Sequence, residues 1–406
     1  MPELSAARGD LQSKRFLYLY ALAVSGGAVA YMPFLTILLP LQVSKLAGND
    51  ALSVLAYIAF AGAICASIAN IGFGWISDKA GTRRMWIAAG LVLSCALLMT
   101  MQFATSASVL IVMIICWQLG LNMMLAPLNA WAGDCVPDAQ KGLLGGLLAL
   151  GPALGALSGA LVTVQGFAIA EARLVWIAAL AGLMVTPLLI FGRPAPMPQL
   201  MRTDGALALT PAMRAHAKYA ITRMWLARLL VQIAEACLFA FLLMWFQSVD
   251  PEFGENDIAT IFTIALGIAS VCALIAGRWS DRSHRPIAPL AICSAIAAIG
   301  LLIMSAASSS KAAIFGYVTF GIASSIFLAL HSTQTLRVLT RPSTRGRDLG
   351  IFNLTNTVPS LIMPWLTLAL VPVYGFDALF LVLAGLATLA SLLLLTMPGP
   401  DPKPSA

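Results

Sequence analysis

The sequence contains few charged residues: Asp, Glu, Lys and Arg make up 10% of its 406 residues. A soluble globular domain carries roughly 25%, so that class is excluded. The seven cysteines show neither CxxC nor metal-ligand spacing, and we expect reduced thiols, no metal and no cofactor. The sequence also lacks HExxH, GxSxG and paired intramembrane aspartates, which argues against an intramembrane enzyme.

What the sequence does contain is apolar runs of about 20 residues, which is the length that crosses roughly 30 Å of hydrocarbon as a helix. Apolar residues make up 60% of the chain, and the mean hydropathy is +0.90. The runs are continuous rather than alternating, which disfavours a barrel. We therefore predict an all-α membrane protein with twelve transmembrane helices in two pseudo-symmetric six-helix bundles. The runs are centred near Val24, Gly62, Cys95, Asn122, Gly151, Gly182, Glu235, Gly267, Ala295, Gly321, Ser360 and Ala387.

Charge asymmetry predicts the orientation in the membrane. Of the 24 Lys and Arg residues, only Lys45, Arg173 and Lys311 lie in odd-numbered turns. Positive residues concentrate on the cytoplasmic side, so we expect both termini in the cytoplasm. The polar N-terminus has no cleavable signal pattern, and we expect the first helix to be retained. Compact loops favour a bacterial inner membrane.

A linker separates the two predicted bundles. Residues 1–192 form the first bundle, 193–222 a cytoplasmic linker and 223–406 the second bundle. The linker opens with three prolines in five residues, Pro194, Pro196 and Pro198, and such a segment acts as a stiff spacer.

One short phrase occurs twice, after the second run of each half. Gly74-Trp75-Ile76-Ser77-Asp78-Lys79 is echoed 203 positions later by Gly277-Arg278-Trp279-Ser280-Asp281-Arg282. A second pair, Lys141-Gly142 and Arg345-Gly346, has nearly the same offset. Duplicated membrane domains of this kind are typical of transporters.

These motifs resemble the major facilitator superfamily over the whole chain. Its loop pattern G-x-L-A-D-R-x-G-R-K is matched at Gly74, Asp78, Gly81 and Arg83, and the second copy keeps Gly277, Asp281 and Arg282. The resemblance implies that the acidic residue and its basic neighbours latch the cytoplasmic gate and help to cap a helix of the other half. The alternative is a solvated charged turn. The candidate gating residues are Gly74, Asp78, Gly81, Arg83, Arg84, Asp281, Arg282, Gly151, Pro152 and Gly155.

Two weaker patterns point to different subfamilies. Gly151-Pro152, followed by Gly155, looks like a segment of antiporters, and its small residues at four-residue spacing allow close helix packing. Asp134 to Gly145 and Arg345-Gly346 are similar to cation-coupled sugar transporters. The arginine that many drug/proton antiporters carry in helix four is absent from Ile115–Gln118, which argues against multidrug antiport.

Three residues are candidates for ion coupling. Glu235 lies near the middle of the seventh run, where a charged carboxyl costs roughly 2.5–3.5 kcal/mol. It must face water, find a partner or take up a proton, and the alternative to coupling is a structural hydrogen bond. Arg228 lies two turns earlier on the same face; it could snorkel to lipid phosphates, pair with a carboxylate or anchor an anionic substrate. His331 could relay protons or belong to a gate or the core.

The resemblance implies that helices one, four, seven and ten line the central cavity. Amides and hydroxyls donate and accept hydrogen bonds, and aromatic faces stack on sugar rings, so this lining suits an uncharged, hydroxyl-rich solute. The alternative is that these groups join helices. The candidates are Tyr20, Tyr31, Trp117, Gln118, Asn122, Asn129, Gln232, Gln334, Asn353 and Asn356.

From these patterns we predict a non-enzymatic secondary active transporter for a small polar organic solute, sugar-like first, working by alternating access with proton coupling. The alternatives are a drug or metabolite efflux proton antiporter and a transport-inactive scaffold or receptor of the same fold. We expect as partners the solute, protons and the lipid bilayer but no nucleic acid, and we expect a monomer. The sequence leaves import or export open, as well as sodium coupling or uniport.

Overall fold

The computed structural model describes residues 11–164, 169, 172–201, 211–252, 255–282, 287–339 and 342–397. The first ten residues, residues 202–210 of the predicted linker and the last nine residues lie outside this description. Every described regular element is helical.

The helices of the first sequence half lie where apolar runs were predicted. The first run is α1, which continues through a π-helical turn, Phe34–Leu38, into α2. The helices are α1 Lys14–Pro33, α2 Leu39–Ala47, α3 Ala51–Ala80, α4 Arg84–Thr100, α5 Ala107–Cys135, α6 Asp138–Leu148, α7 Leu150–Thr163 and α8 Arg173–Phe191.

The remaining helices cover the linker and the second half. A short helix, α9, precedes a 39-residue helix, α10, which begins before the seventh apolar run. The helices are α9 Pro198–Met201, α10 Pro211–Val249, α11 Glu255–Arg282, α12 Ala288–Ser305, α13 Ser310–Val338 and α14 Arg345–Leu395. The eleventh and twelfth runs both lie in α14, which is interrupted at Gly375, whose φ of 77° is in the left-handed region that favours glycine.

The prediction of an all-α membrane fold is confirmed. Ten of the described helical segments are long and apolar enough to span a bilayer. The other two predicted spans correspond to α10 and to the part of α14 before Gly375. The chain is therefore an integral membrane protein of the expected helical class.

The chain forms two compact units that exchange short helical segments. The first unit comprises residues 1–137, 150–207 and 339–354; the second comprises residues 138–149, 208–338 and 355–406. Helix α6 thus belongs to the second unit, and the start of α14 belongs to the first. The division of the sequence into two bundles and a linker stays a prediction.

A proline follows each exchanged segment. Pro152 has no N–H for the carbonyl of Leu148, and the helix breaks at Ala149, between α6 and α7. Pro359 likewise offers no N–H to the carbonyl of Thr355, where the second unit resumes. In both helices the missing hydrogen bond lies at the point where the chain leaves one unit for the other.

The core of the first unit is formed around α1 and α5. Helix α1 packs on α7 and α8, and α5 packs on α3 and α4. Two edge-to-face aromatic contacts support this packing: the ring centroids of Phe34 and Trp117 are 5.1 Å apart, and those of Phe16 and Trp131 are 5.7 Å apart. Such pairs add roughly 0.5–1.5 kcal/mol beyond the burial of their area.

The core of the second unit lies among α10, α12, α13 and α14. Trp245 contacts Phe380 edge to face with ring centroids 4.9 Å apart, and it contacts Phe246 at 4.8 Å. Helices α12 and α13 cross at Gly300 and Gly316, where an added methyl group at Gly300 would lie 2.6 Å from the backbone nitrogen of Phe320. Close helix approach in lipid depends on such small residues.

This crossing generates a stability prediction. Gly300→Ala should lower the unfolding temperature of the purified protein, because overpacking a tight contact costs typically 1–3 kcal/mol. Gly182→Ala is the matched control: Gly182 is also inside a helix, but nothing lies within 4 Å of an added methyl group. Thermal unfolding in detergent measures both variants, and equal unfolding temperatures would contradict the crossing.

Candidate functional site

In the first unit, α3 and the start of α14 touch through two glycines. A methyl group placed on Gly74 would overlap the carbonyl oxygen of Gly346, and one placed on Gly346 would overlap the carbonyl oxygen of Gly74. Only glycine permits two backbones to come so close.

Asp78, one turn beyond Gly74, caps the start of α14. Its Oδ1 accepts a hydrogen bond of 3.0 Å from the Gly346 N–H, and its Oδ2 accepts one of 3.1 Å from the Arg347 N–H. The first N–H groups of a helix have no partner within the helix, and a carboxylate is favoured there by the helix dipole. The Asp78 side chain is fully buried.

The second unit repeats this arrangement with the equivalent residues. Gly277 in α11 touches Gly142 in α6, and a methyl group on either would overlap the other's carbonyl oxygen. Asp281 accepts hydrogen bonds from the N–H groups of Gly142, at 2.6 Å, and Leu143, at 2.7 Å. The sequence repeat is therefore a structural repeat of a glycine crossing and a carboxylate cap.

Two arginines surround the cap of the first unit. Arg83 pairs with Asp78 at 2.7 Å and with Asp134 at 2.9 Å, and Arg345 pairs with the other oxygen of Asp134 at 2.6 Å. Burial alone would lower the pKa of Arg83, but the charges of Asp134 and Asp78 outweigh burial and raise it. Removing one member of such a buried network leaves an uncompensated charge.

The cap of the second unit has a different set of cations. Arg337, at the end of α13, pairs with Asp281 at 3.0 Å and donates to the carbonyl of Asp138 at 2.7 Å. Lys141 pairs with the Asp138 carboxylate at 2.6 Å and donates to the carbonyl of Leu336 at 3.1 Å. In both units the basic residue just before the crossing glycine, Arg345 or Lys141, is tied to a nearby aspartate.

The other predicted gating residues lie beside the caps or away from them. Gly81 ends α3 with a φ of 63°, which explains the glycine at this turn. Arg84 donates to the carbonyl of Leu189 rather than to Asp78, and Arg282 is exposed. Gly151, Pro152 and Gly155 lie in α7.

Helix α7 packs closely on α1 through Gly155. A methyl group there would lie 2.7 Å from the Met32 sulfur. At Gly151 the nearest atoms of α1 are at an ordinary contact distance, 3.7 Å from Ser25. Of Gly151 and Gly155, only Gly155 therefore lies at a close contact between α7 and α1.

Sequence reasoning missed Gln12 as part of the first unit's cap region. Its side-chain amide donates to the carbonyls of Cys135, at 3.0 Å, and Ala195, at 3.2 Å, and accepts from the Ala195 N–H at 2.9 Å. Arg345 also donates to the carbonyl of Leu200 at 3.3 Å. These bonds hold the start of the predicted linker beside Asp134. A lone glutamine in a polar N-terminus gives no sequence signal of this role.

A second polar cluster lies in the second unit around Arg228 of α10. Its guanidinium donates to Ser332 Oγ at 3.1 Å, to Asn356 Oδ1 at 3.3 Å and to the carbonyl of Leu328 at 3.4 Å. Gln232 donates to the same Asn356 oxygen at 2.6 Å. The predicted polar stripe on α10 therefore meets α13 and α14.

His331 completes this cluster in a neutral form. Its Nε2 lies 2.9 Å from the carbonyl of Met224, which only accepts hydrogen bonds, so Nε2 carries the proton. Its Nδ1 lies 3.4 Å from the Arg228 guanidinium, and 3.1 Å from the Thr335 hydroxyl oxygen, which donates to the His331 carbonyl at 2.8 Å. A proton on Nδ1 would face a guanidinium group, so the arrangement favours neutral imidazole.

Glu235 lies on α10 two turns from Arg228, about 10 Å along the helix axis. It forms no ion pair with any described residue. Its Oε2 is buried and has no hydrogen-bond partner among the described residues. The ionised form of a carboxyl group is strongly disfavoured in such a position, so the protonated form is favoured there.

In the first unit the predicted polar residues of α5 form an amide network. Asn122 donates to the backbone carbonyl of Gln118 at 2.9 Å and accepts from Asn70 of α3 at 2.9 Å. Asn70 was not predicted. Trp117 is fully buried against Phe34.

The other predicted lining residues have separate environments. Tyr20 is buried and donates to the carbonyl of Leu128 at 2.9 Å, whereas Asn129 is exposed. Gln334 is buried and donates to Ser280 Oγ at 2.9 Å. Tyr31 and Asn353 are partly buried in α1 and α14.

Comparison with known families identifies the class of protein. The sequence matches the family model described as Major Facilitator Superfamily over residues 16–338 and 224–406. The chain belongs to the major facilitator superfamily and is a membrane transporter of that fold. No curated protein sequence matches it.

Solved structures of transporters share its fold. The human organic anion transporter MFSD10 (TETRAN) aligns with a TM-score of 0.72 at 14% identity, covering 94% of this chain and 99% of that one. The transporter FucP in the outward conformation aligns with a TM-score of 0.70 at 14% identity, covering 95% and 99%. A bacterial homologue of the iron transporter ferroportin, outward-facing with soaked iron, aligns with a TM-score of 0.69 at 14% identity, covering 94% and 98%.

The cap geometry predicts unequal costs for two aspartate substitutions. Asp78→Asn should lower the free energy of unfolding by about 2 kcal/mol, because hydrogen bonds to a charged group contribute roughly 1.5–3 kcal/mol each and Arg83 loses a partner. Asp348→Asn, in the same first turn of α14, should cost about 1 kcal/mol or less, since its pair with Arg347 is more exposed. Denaturation of the purified variants gives both values; an Asp78 variant as stable as the wild type would refute the role of the cap.

Proposed function

We propose that this protein is a secondary active transporter that moves a small polar organic solute by alternating access, driven by protons. The observation that carries the proposal is the repeated cap: each sequence half contributes a carboxylate, Asp78 or Asp281, that holds a helix start from the other half. The chain belongs to a family of transporters, and each sequence half has one such polar contact that can break. These two facts support a cycle between two states.

The caps are suited to a latch because they are strong but local. Each consists of charge-assisted hydrogen bonds at a helix terminus and a glycine crossing with no side chain to disengage. Separation exposes the aspartate and two backbone N–H groups to water, which replaces the lost bonds. We place both latches on the cytoplasmic side with the chain termini, in a bacterial inner membrane, and we propose that the transporter acts as a monomer.

The two prolines support a way for the latches to open. The fifth predicted span is broken between α6 and α7, and in α14 Pro359 removes one backbone hydrogen bond while the helix continues. Each of these helices has a latched first segment in one unit and a remainder in the other. Each helix can therefore bend at the missing hydrogen bond, so that its latched first segment moves while the helix stays folded.

Proton coupling is assigned to Glu235. A buried carboxyl oxygen without a partner is stable when protonated and unstable when ionised in a dry environment. Exposure of this group to opposite sides of the membrane in turn would let it load and release a proton. Arg228 and neutral His331 are the neighbouring members of the coupling cluster.

The solute is proposed to be hydroxyl-rich and sugar-like. In the second unit, Gln232 and the exposed Asn356 carry amide donors and acceptors on spanning helices. Amides bind hydroxyl groups as both donors and acceptors. A purely lipophilic solute would form no hydrogen bonds with these amides.

The coupling proposal predicts a separation of two activities in Glu235→Gln. The variant should lose accumulation driven by a proton gradient and keep equilibrium exchange, because glutamine preserves the hydrogen-bonding shape but carries no transferable proton. Proteoliposomes loaded with a solute chosen by competition screening measure both activities. Undiminished concentrative uptake would rule out Glu235 as the coupling residue.

The latch proposal predicts a different phenotype for Asp78→Asn. Turnover should fall by at least tenfold while the order in which solutes compete stays the same, since Asp78 holds a helix terminus and contacts no solute. Competition assays with the wild type as control test this. A selective change in solute preference would contradict the latch, and absence of flux for every tested solute class would favour the scaffold alternative.

A further inference from the structure

Resting on the proposed transport function, we propose that the solute carries a carboxylate or similar monovalent anionic group that binds to Arg228, and that its charge is balanced by protonation of Glu235. The class indicated is a polyhydroxylated organic acid rather than a neutral sugar. One proton would then accompany each anion.

Arg228 differs from Arg83, Arg337 and Arg345 in having only neutral hydrogen-bond partners among the described residues. Arg83, Arg337 and Arg345 each pair with a carboxylate at 2.6–3.0 Å. Among the described residues no carboxylate pairs with Arg228, whose four hydrogen bonds to Leu328, His331, Ser332 and Asn356 are 3.1–3.4 Å long. Charge-assisted bonds to anions are shorter, about 2.7–2.9 Å. The guanidinium thus retains unused capacity for an anion.

The neighbouring groups leave this charge uncompensated. His331 faces Arg228 with an accepting nitrogen and is neutral, and Asn356 and Ser332 are neutral. From α14, Asn356 contacts both Arg228 and Gln232 with its neutral amide. Glu235, two turns away on the same helix, is an acidic group whose charge can balance that of Arg228.

Gln232 lies between the two charged residues on the same helix face. Its amide is already directed by Asn356, with a bond of 2.6 Å. A solute whose carboxylate meets the Arg228 fork would place its hydroxyl groups beside Gln232 and Asn356. Arginine is suited to this role because its planar donors match a carboxylate in a bidentate manner.

Charge balance couples the solute to the proton. An anion on Arg228 and an ionised Glu235 about two turns away would repel each other in a medium of low dielectric. Protonation of Glu235 removes this repulsion and strengthens anion binding, and by linkage the anion strengthens proton binding to the same extent. The loaded site then carries the same net charge as the empty site with ionised Glu235.

Matched pairs of compounds test the charge requirement. Gluconate with sorbitol, and glycerate with glycerol, differ in the carboxylate but share hydroxyl groups. Binding to the purified full-length protein is measured by thermal shift and by tryptophan fluorescence at pH 6. The proposal predicts that an acid binds and that its neutral partner binds at least tenfold more weakly. Equal affinity within a pair, or no binding by any acid, overturns it.

Variants of α10 test the location. Arg228→Gln should weaken binding of the acid at least tenfold, and Arg228→Lys should restore part of it because the charge remains. Arg223→Gln is the control: Arg223 is on the same helix, bonds Thr396 and lies outside the cluster. Acid affinity within twofold of the wild type in Arg228→Gln, with the control unchanged, overturns the site. Size-exclusion profiles of Arg228→Lys and the control establish that the variants are folded.

A third measurement separates this inference from the proposed function. In proteoliposomes, acid uptake should follow the pH gradient and be insensitive to an imposed membrane potential. Glu235→Gln should bind the acid with the same affinity from pH 5.5 to 8, whereas the wild type binds more weakly as pH rises. Proton-driven uptake of neutral solutes, with no uptake of any acid, would support the proposed transport function and contradict the anion site. Acid binding that depends on Arg228, in a protein that transports no solute, would support the anion site and contradict the proposed transport function.

Discussion

The structure depends on an aspartate that binds the first N–H groups of a helix from the other half of the sequence. Asp78 does so at α14, and Asp281 does so at α6. The interaction satisfies backbone donors that would otherwise be buried without partners. It requires a glycine on each side, because any side chain at Gly74 or Gly346 would hold the aspartate away. The feature that the two units share is thus a backbone contact, whereas the surrounding ion pairs differ.

Those ion pairs do differ between the units. The first uses Arg83 from the start of α4 and Arg345 from α14, joined through Asp134, whereas the second uses Arg337 from the end of α13. A duplicated architecture can therefore preserve a cap while changing its strength in each copy. In the proposed transport cycle, unequal caps let the two latches open at different free energies. Pro152 and Pro359 each remove one backbone hydrogen bond where an exchanged segment meets the rest of its helix.

Much of the fold and part of the site were predictable from the sequence. Apolar runs of spanning length predicted the helices. The family resemblance of the repeated phrase implied that its acidic residue caps a helix of the other half, and Asp78 and Asp281 both form such caps. Asn70, Gln12 and Asp134 as a bridge between arginines could not be predicted, since they depend on contacts between segments far apart in sequence. The assignment of Asn129 to the polar lining followed a seven-residue spacing, but the residue is exposed, whereas Asn122 on the same face is buried. Periodicity indicates which residues share a helix face, and packing decides what that face meets.

The central claim is that the cap of α14 breaks and re-forms during transport. Spin labels at Lys79 and Arg347 report this distance directly, since both side chains are exposed or partly exposed beside the cap and neither supplies a side-chain bond to Asp78. Pulsed electron paramagnetic resonance in lipid nanodiscs, with and without solute and across pH, measures the distance distribution. The account predicts a short distance that exchanges with a longer one under transport conditions. A single short distance in a protein that continues to transport would contradict it.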